Sequence, residues 1–118
     1  MTLVESKKKK ALFLQRLITQ IALSRVSVLN IRAEEIKDQK FNVILFRAAG
    51  KIAGVLNYAI SLLGSCCTII FFKSSEVKEE IRQAKKMVAA LGLKDPEIKE
   101  LVTPIENRQV NLVIFKKG

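Results

Sequence analysis

From Ile52 to Phe72 the chain runs twenty-one residues without a charge, fenced by Lys51 and Lys73. About 20 apolar residues suffice to cross a bilayer as a helix, so the run is either a membrane span or the buried middle of a fold. Its internal order favours the fold. Ile52, Val55, Leu56, Ala59, Ile60, Leu62 and Leu63 recur at helical spacing, Gly64-Ser65 interrupts, and Thr68-Ile69-Ile70-Phe71-Phe72 is β-branched and aromatic. A helix that halts at a glycine and passes into a buried strand leaves this pattern. Upstream, Phe41-Asn42-Val43-Ile44-Leu45-Phe46 reads as another buried strand. Strand, helix and strand within about 30 residues make one βαβ unit of a soluble sheet. The competing reading is a small membrane protein spanning residues 52–72 with lysine-rich flanks on the cytoplasmic side.

Charge points to a partner. Lysine and arginine number 21 against 11 acids, a net charge of +10. That balance suits a polyanion, nucleic acid first and an acidic membrane surface second. Catalytic chemistry is poorly supplied. The chain has no histidine, which removes His-based triads and His metal sites. Its two cysteines, Cys66 and Cys67, are neighbours, a spacing unsuited to a metal clamp or a structural disulfide. They read as small buried residues in a reducing compartment. The five glycines form neither a GxxxxGK[ST] loop nor a GxGxxG turn. The expectation is a non-enzyme without metal or cofactor.

The flanking segments add elements. Lys7 to Lys10 followed by Ala11-Leu12-Phe13-Leu14 resembles the opening of a signal peptide, but Gln15 and Arg16 break the apolar run at once. Leu14, Leu17, Ile18, Ile21 and Ala22 mark one face of an amphipathic helix over Lys8 to Leu23. Arg25 to Gln39 is a short strand or a connector. After Phe72, Ser74-Ser75 is a fair helix cap, and Val77, Ile81, Ala84, Val88 and Leu91 form a clean stripe ending at Gly92. Lys78, Arg82 and Lys85 share the outer face of that helix. They read as a phosphate-facing ridge; alternatively Glu76, Glu79 and Glu80 at the start, with Lys85 and Lys86 at the end, answer the helix dipole and need no ligand. Glu97 to Thr103 is a modest strand. Glu106 to Gln109 is a polar turn, and Val110 to Phe115 is the strongest strand of the chain.

From Phe41 the order is thus β-α-β-α-β-β, and on that order the chain resembles the Alba family of small basic nucleic-acid-binding proteins, including the Alba-type subunits of ribonuclease P. The matching stretches are Asn42-Val43-Ile44-Leu45, Val55-Leu56-Asn57-Tyr58, Thr68-Ile69-Ile70, Pro96-Glu97-Ile98-Lys99-Glu100-Leu101 and Val110 to Lys117. The resemblance covers about 78 of 118 residues. It implies an α+β two-layer sandwich, a four-stranded mixed sheet with two helices, in a domain over 41–118. Residues 1–40 would be a basic tip, helix and connector ahead of it.

The resemblance also implies a site. The family places two lysines and a proline between the first strand and first helix; here Arg47-Ala48-Ala49-Gly50-Lys51 carries a lone lysine, with Arg47 standing in for its neighbour. Lys73 matches the basic turn after the second strand, and Arg108 sits in the shortened hairpin arm. The implied function is non-catalytic, sequence-independent binding of DNA or RNA through phosphate contacts. The implied assembly is a homodimer, or a heterodimer with a related subunit. The place would be cytoplasmic, nuclear or nucleoid-associated, with a membrane unlikely. An assembly module of a ribonucleoprotein or chromatin complex is the alternative. Tyr58 reads as core rather than as a stacking platform.

Overall fold

The computed structural model describes residues 1–37, 39–47, 50–73, 77–103 and 108–117; the side chains of residues 60, 65–67, 103, 108 and 109 lie outside the description. The expected cap at Ser74-Ser75 and the buried character of Cys66 and Cys67 therefore fall outside it too. The chain divides into two compact units, Met1–Asp38 and Gln39–Gly118.

The first unit is a small βαβ. Strand β1 (Thr2–Val4) leads into helix α1 (Lys8–Gln20), which returns the chain to strand β2 (Ser27–Leu29). The strands are parallel, pairing Thr2 with Ser27, Leu3 with Val28 and Val4 with Leu29. Backbone bonds from Ser27 N–H to Met1 O and from Glu5 N–H to Leu29 O, each 3.0 Å, extend the ladder at both ends. Residues 1–40 are thus more than a tip, helix and connector: the helix is the crossover between two paired strands. The expected stripe on α1 is also displaced. Ala11 is buried and Leu14 and Ile18 half-buried, whereas Leu17, Ile21 and Ala22 are exposed. The helix ends earlier than expected because Ala22 takes a left-handed conformation (φ 53°). Its N–H bonds Thr19 O and that of Leu23 bonds Ile18 O, closing a Schellman motif.

The second unit runs β3 (Phe41–Arg47), α2 (Ile52–Ala59), a 3-10 turn (Ile60–Leu62), β4 (Leu63–Lys73), α3 (Val77–Ala90), β5 (Glu97–Thr103) and β6 (Arg108–Lys116). The sheet order is β3-β4-β6-β5. β3 and β4 are parallel, and β6 is antiparallel to both of its neighbours. The uncharged run is divided between an eight-residue helix, a turn and all of β4 but its last residue, Lys73. Among the described residues no helix is long and apolar enough to cross a membrane. The membrane-span reading of residues 52–72 fails on that geometry.

Gly64 has a different task from the one expected. It lies inside β4 rather than at a helix stop, and a Cβ there would sit 3.1 Å from Phe41 O and 3.2 Å from Asn42 Oδ1. The register between β3 and β4 shifts just there, between Phe41 and Val43. Glycine permits the close approach of two backbones at that irregularity. Gly92 does end α3 as expected, at φ 72°. Its N–H bonds Ala89 O and that of Leu93 bonds Val88 O, a second Schellman motif.

The core lies between one face of this sheet and the two helices. Ile52, Val55, Leu56 and Ala59 of α2 and Val77, Ala84 and Val88 of α3 meet Phe46, Ile69, Phe71, Val113 and Phe115. Phe71 stacks on Phe46 with centroids 5.2 Å apart and meets Phe115 edge-on at 5.9 Å. Tyr58, half-buried, stands edge-on to Phe46 at 6.3 Å.

Candidate functional site

Open sheets with parallel strands bind ligands beyond the carboxyl ends of those strands, where the chain turns into the following helix. Each unit has one such end.

In the first unit, β1 delivers Glu5 and β2 delivers Asn30. The Asn30 side chain donates from Nδ2 to Glu5 O (2.9 Å) and to Ser6 O (3.1 Å), pinning the turn that leads into α1. Glu5 is half-buried, and its Oε1 accepts the Lys7 N–H at 3.2 Å. A carboxylate offers about four acceptor positions, so Glu5 can still receive hydroxyl donors from a ligand. The following residues, Lys7 to Lys10, are all exposed.

In the second unit, β3 ends at Arg47 and β4 at Lys73. Lys73 Nζ donates to Gly50 O at 2.6 Å and pairs with Glu80 Oε1 at 3.0 Å. Glu80 Oε1 also accepts the N–H of Ile52, the first residue of α2, at 3.2 Å. One lysine and one glutamate, 17% and 15% exposed, thus tie together the end of β4, the β3–α2 loop and α3. Gly50 supplies the turn at φ 108°, a conformation costly for other residues.

The seven residues expected to face phosphates divide accordingly. Arg47 and Lys51 are exposed at the carboxyl end of β3, and Lys73 lies against the same loop but is engaged internally. Lys78 and Lys85 are exposed on α3. Arg82 is exposed as well, but its Nε donates to Glu79 Oε2 at 2.9 Å. That contact holds the Glu79 carboxyl below its ordinary pKa, chiefly through the hydrogen bond, and holds the Arg82 guanidinium above its own. The Arg108 backbone opens β6, while its side chain lies outside the described residues. The expected list missed Glu5. The legible signal was an apolar Thr-Leu-Val run ending in an acid ahead of a lysine-rich helix start.

Comparison with known proteins gives this geometry a family. The GidB model, rRNA small subunit methyltransferase G, matches residues 1–111. Ribosomal RNA small subunit methyltransferase G of Carboxydothermus hydrogenoformans is 32% identical over 120 residues, covering 98% of this chain and 51% of that protein. The protein of the same name from Mycoplasma capricolum is 31% identical over 119 residues, covering 99% and 51%. The chain therefore spans about half the length of the curated relatives it matches. Among solved structures, a SAM-dependent O-methyltransferase from Thermotoga maritima superposes with a TM-score of 0.73 at 12% identity, over 98% of this chain and 49% of that one. An rRNA methylase from Streptococcus thermophilus gives 0.69 at 7% identity, over 98% and 72%.

These findings overturn the Alba resemblance. The Rossmann-like methyltransferase fold matches essentially the whole chain, including the β1-α1-β2 unit that the Alba-like sandwich leaves outside its domain. The β-α-β-α-β-β order from Phe41 is present, but the order of elements does not determine the fold that contains them. The expectations of a non-enzyme, of a non-catalytic DNA or RNA binder, and of an assembly or chromatin module fall with it. Each rested on that resemblance or on the residue types the chain lacks, histidine above all.

Proposed function

The chain belongs to the GidB family, rRNA small subunit methyltransferase G, and from that premise we propose that it forms about half of an S-adenosylmethionine-dependent methyltransferase acting on small-subunit ribosomal RNA. The observation that carries this reading is Glu5 at the carboxyl end of a parallel βαβ, half-buried and with acceptor capacity to spare. In nucleoside sites of this architecture an acid at a strand end accepts the ribose hydroxyls. Glu5 would hold the ribose of the cofactor, and Asn30 would keep the Glu5 turn in place through its bonds to Glu5 O and Ser6 O. The five scattered glycines supply no glycine-rich turn, so that part of a nucleoside site is assigned to the portion of the relatives this chain does not span. When bound, the cofactor supplies an activated methyl group on a cationic sulfur. This replaces the expectation of a cofactor-free protein.

Ribosomal RNA is also the polyanion that a net charge of +10 suits. Arg47 and Lys51 are the residues we assign to phosphate contacts, with Lys78 and Lys85 on α3 as a second group. Lys73 is set apart as a structural cation because both of its contacts lie within the fold. The working place of such an enzyme is the cytoplasm, where small ribosomal subunits are.

The test is a chimera in which this chain replaces the matching half of the Carboxydothermus hydrogenoformans relative. Labelled methyl from S-adenosylmethionine should appear in small-subunit rRNA. A folded chimera that binds the cofactor but leaves rRNA unlabelled would contradict the substrate. One that binds no cofactor would contradict the proposal as a whole.

A further inference from the structure

Lys94 and Lys116 stand directly across from each other on antiparallel backbones. Leu93 bridges Lys117 in the antiparallel sense, and one step along, the Lys94 N–H bonds Lys116 O at 2.8 Å. Residues so paired project to the same side of a sheet, with Cβ atoms about 4.5–5.5 Å apart. Here that side faces away from the helices, because Val113 and Phe115, which alternate with it along β6, belong to the core. On its other flank Lys116 pairs with the half-buried Thr68 of β4. Two lysines and a threonine thus form one row across adjoining backbones.

Like charges set directly opposite one another destabilise a sheet. Both lysines are exposed, and neither forms an ion pair among the described residues. Of the nearest acids in sequence, Glu97 pairs with Lys99 at 3.7 Å, and Asp95 is exposed without an ion pair among the described residues. A bound anion would turn the repulsion into a shared attraction, and phosphate oxygens accept from ammonium and hydroxyl donors alike. The row also lies apart from the cations already assigned to RNA. Arg47 pairs with Phe72, four residues beyond Thr68 on β4, which is about 13 Å along the strand.

We propose that Lys94 and Lys116, with the Thr68 hydroxyl beside them, hold a backbone phosphate of the RNA at the carboxyl end of β6, away from Arg47 and Lys51. Contacts at two separated points of one sheet fix the register of the RNA without reading its bases. The free protein retains the repulsion between the two lysines, and the ligand relieves it. The proposal rests on the reading of this chain as part of an rRNA methyltransferase and adds a contact for the same substrate.

The chimera is titrated with a structured fragment of small-subunit rRNA, and its urea unfolding is followed without RNA. The double variant Lys94→Gln, Lys116→Gln should weaken binding by about tenfold. It should also lower the slope of log affinity against log salt by roughly 0.7–0.9 per lost contact. Its urea midpoint should rise, because the repulsion is gone. Lys94→Arg, Lys116→Arg should keep the affinity, and Lys99→Gln, which removes a like charge from β5, should leave it unchanged. A midpoint that falls along with the affinity would show the two lysines to be structural and overturn the proposal. Undiminished RNA affinity in the glutamine variant would overturn it too, while leaving the methyltransferase reading intact. A chimera that binds no RNA would overturn both. If the row binds inorganic phosphate but its loss leaves RNA affinity unchanged, it is a small-anion site and the proposal likewise fails.

Discussion

Lys73 Nζ lies 3.0 Å from Glu80 Oε1, and the same carboxylate oxygen accepts the first N–H of α2. The pair is mostly buried, and the lysine also holds Gly50 O. A sequence reader sees a lysine after a strand and assigns it to a ligand; the fold uses it to close a loop. Removing one partner leaves a largely buried charge without its counterpart, the costly kind of change. Glu80→Ala should therefore destabilise the chain by roughly 1–3 kcal/mol in urea unfolding. A change no larger than that of an exposed control such as Glu100→Ala would show the clamp to be incidental.

The two Schellman motifs make opposite predictions. Gly92 adopts φ 72° without strain, whereas Ala22 adopts φ 53° with a side chain. Left-handed backbone costs an L-residue roughly 1–2 kcal/mol. Gly92→Ala should lower stability by about 1 kcal/mol, and Ala22→Gly should raise it by up to about 1 kcal/mol. Amide exchange in α3 and α1 respectively reads each effect where it arises.

Glu79 predicts a small pH effect of definite sign. Its carboxyl is held below the ordinary value, mainly by the Arg82 hydrogen bond. Its contribution is present above the carboxylate pKa of the unfolded chain and is lost as pH falls through the lowered folded value. Both side chains are largely exposed, so the effect on global stability is slight. Carbon-detected NMR titration should place the Glu79 midpoint below the ordinary glutamate value, and Arg82→Ala should raise it.

Arg47 and Lys51 are predicted to act through phosphates. In the chimera, changing both to glutamate should weaken RNA binding with little regard to sequence. On a duplex RNA segment, the slope of log affinity against log salt should also fall by an amount on the order of 0.9 per lost contact, taking the duplex DNA value as guide. Lys73→Met should reduce binding only as far as it loosens the Gly50 loop. Unchanged affinity in the Arg47, Lys51 variant would move the RNA surface elsewhere.

Much of the second unit was legible because its periods are strong. The Val77-to-Leu91 stripe, the Gly92 stop and the Phe41 strand appear where the residues put them. Three things were hidden. β1 is three residues long, too short for alternation to register, so its pairing with β2 and the place of Glu5 at its carboxyl end were lost with it. Gly64 reads as a helix stop, yet its role is set by a non-local contact with Phe41 and Asn42. The sheet order, with β6 between β4 and β5, is not written in the order of elements. More than one fold shares that succession, and the Alba resemblance followed from it.

The central claim is that the β1–α1–β2 unit holds the ribose of S-adenosylmethionine through Glu5, and calorimetric titration of that cofactor into the chimera tests it most directly. Loss of hydrogen bonds to a charged acceptor at about 1.5–3 kcal/mol predicts that Glu5→Ala weakens binding by about ten- to a hundredfold, with the circular dichroism unchanged. Cofactor affinity indifferent to Glu5 in a folded chimera would contradict the account.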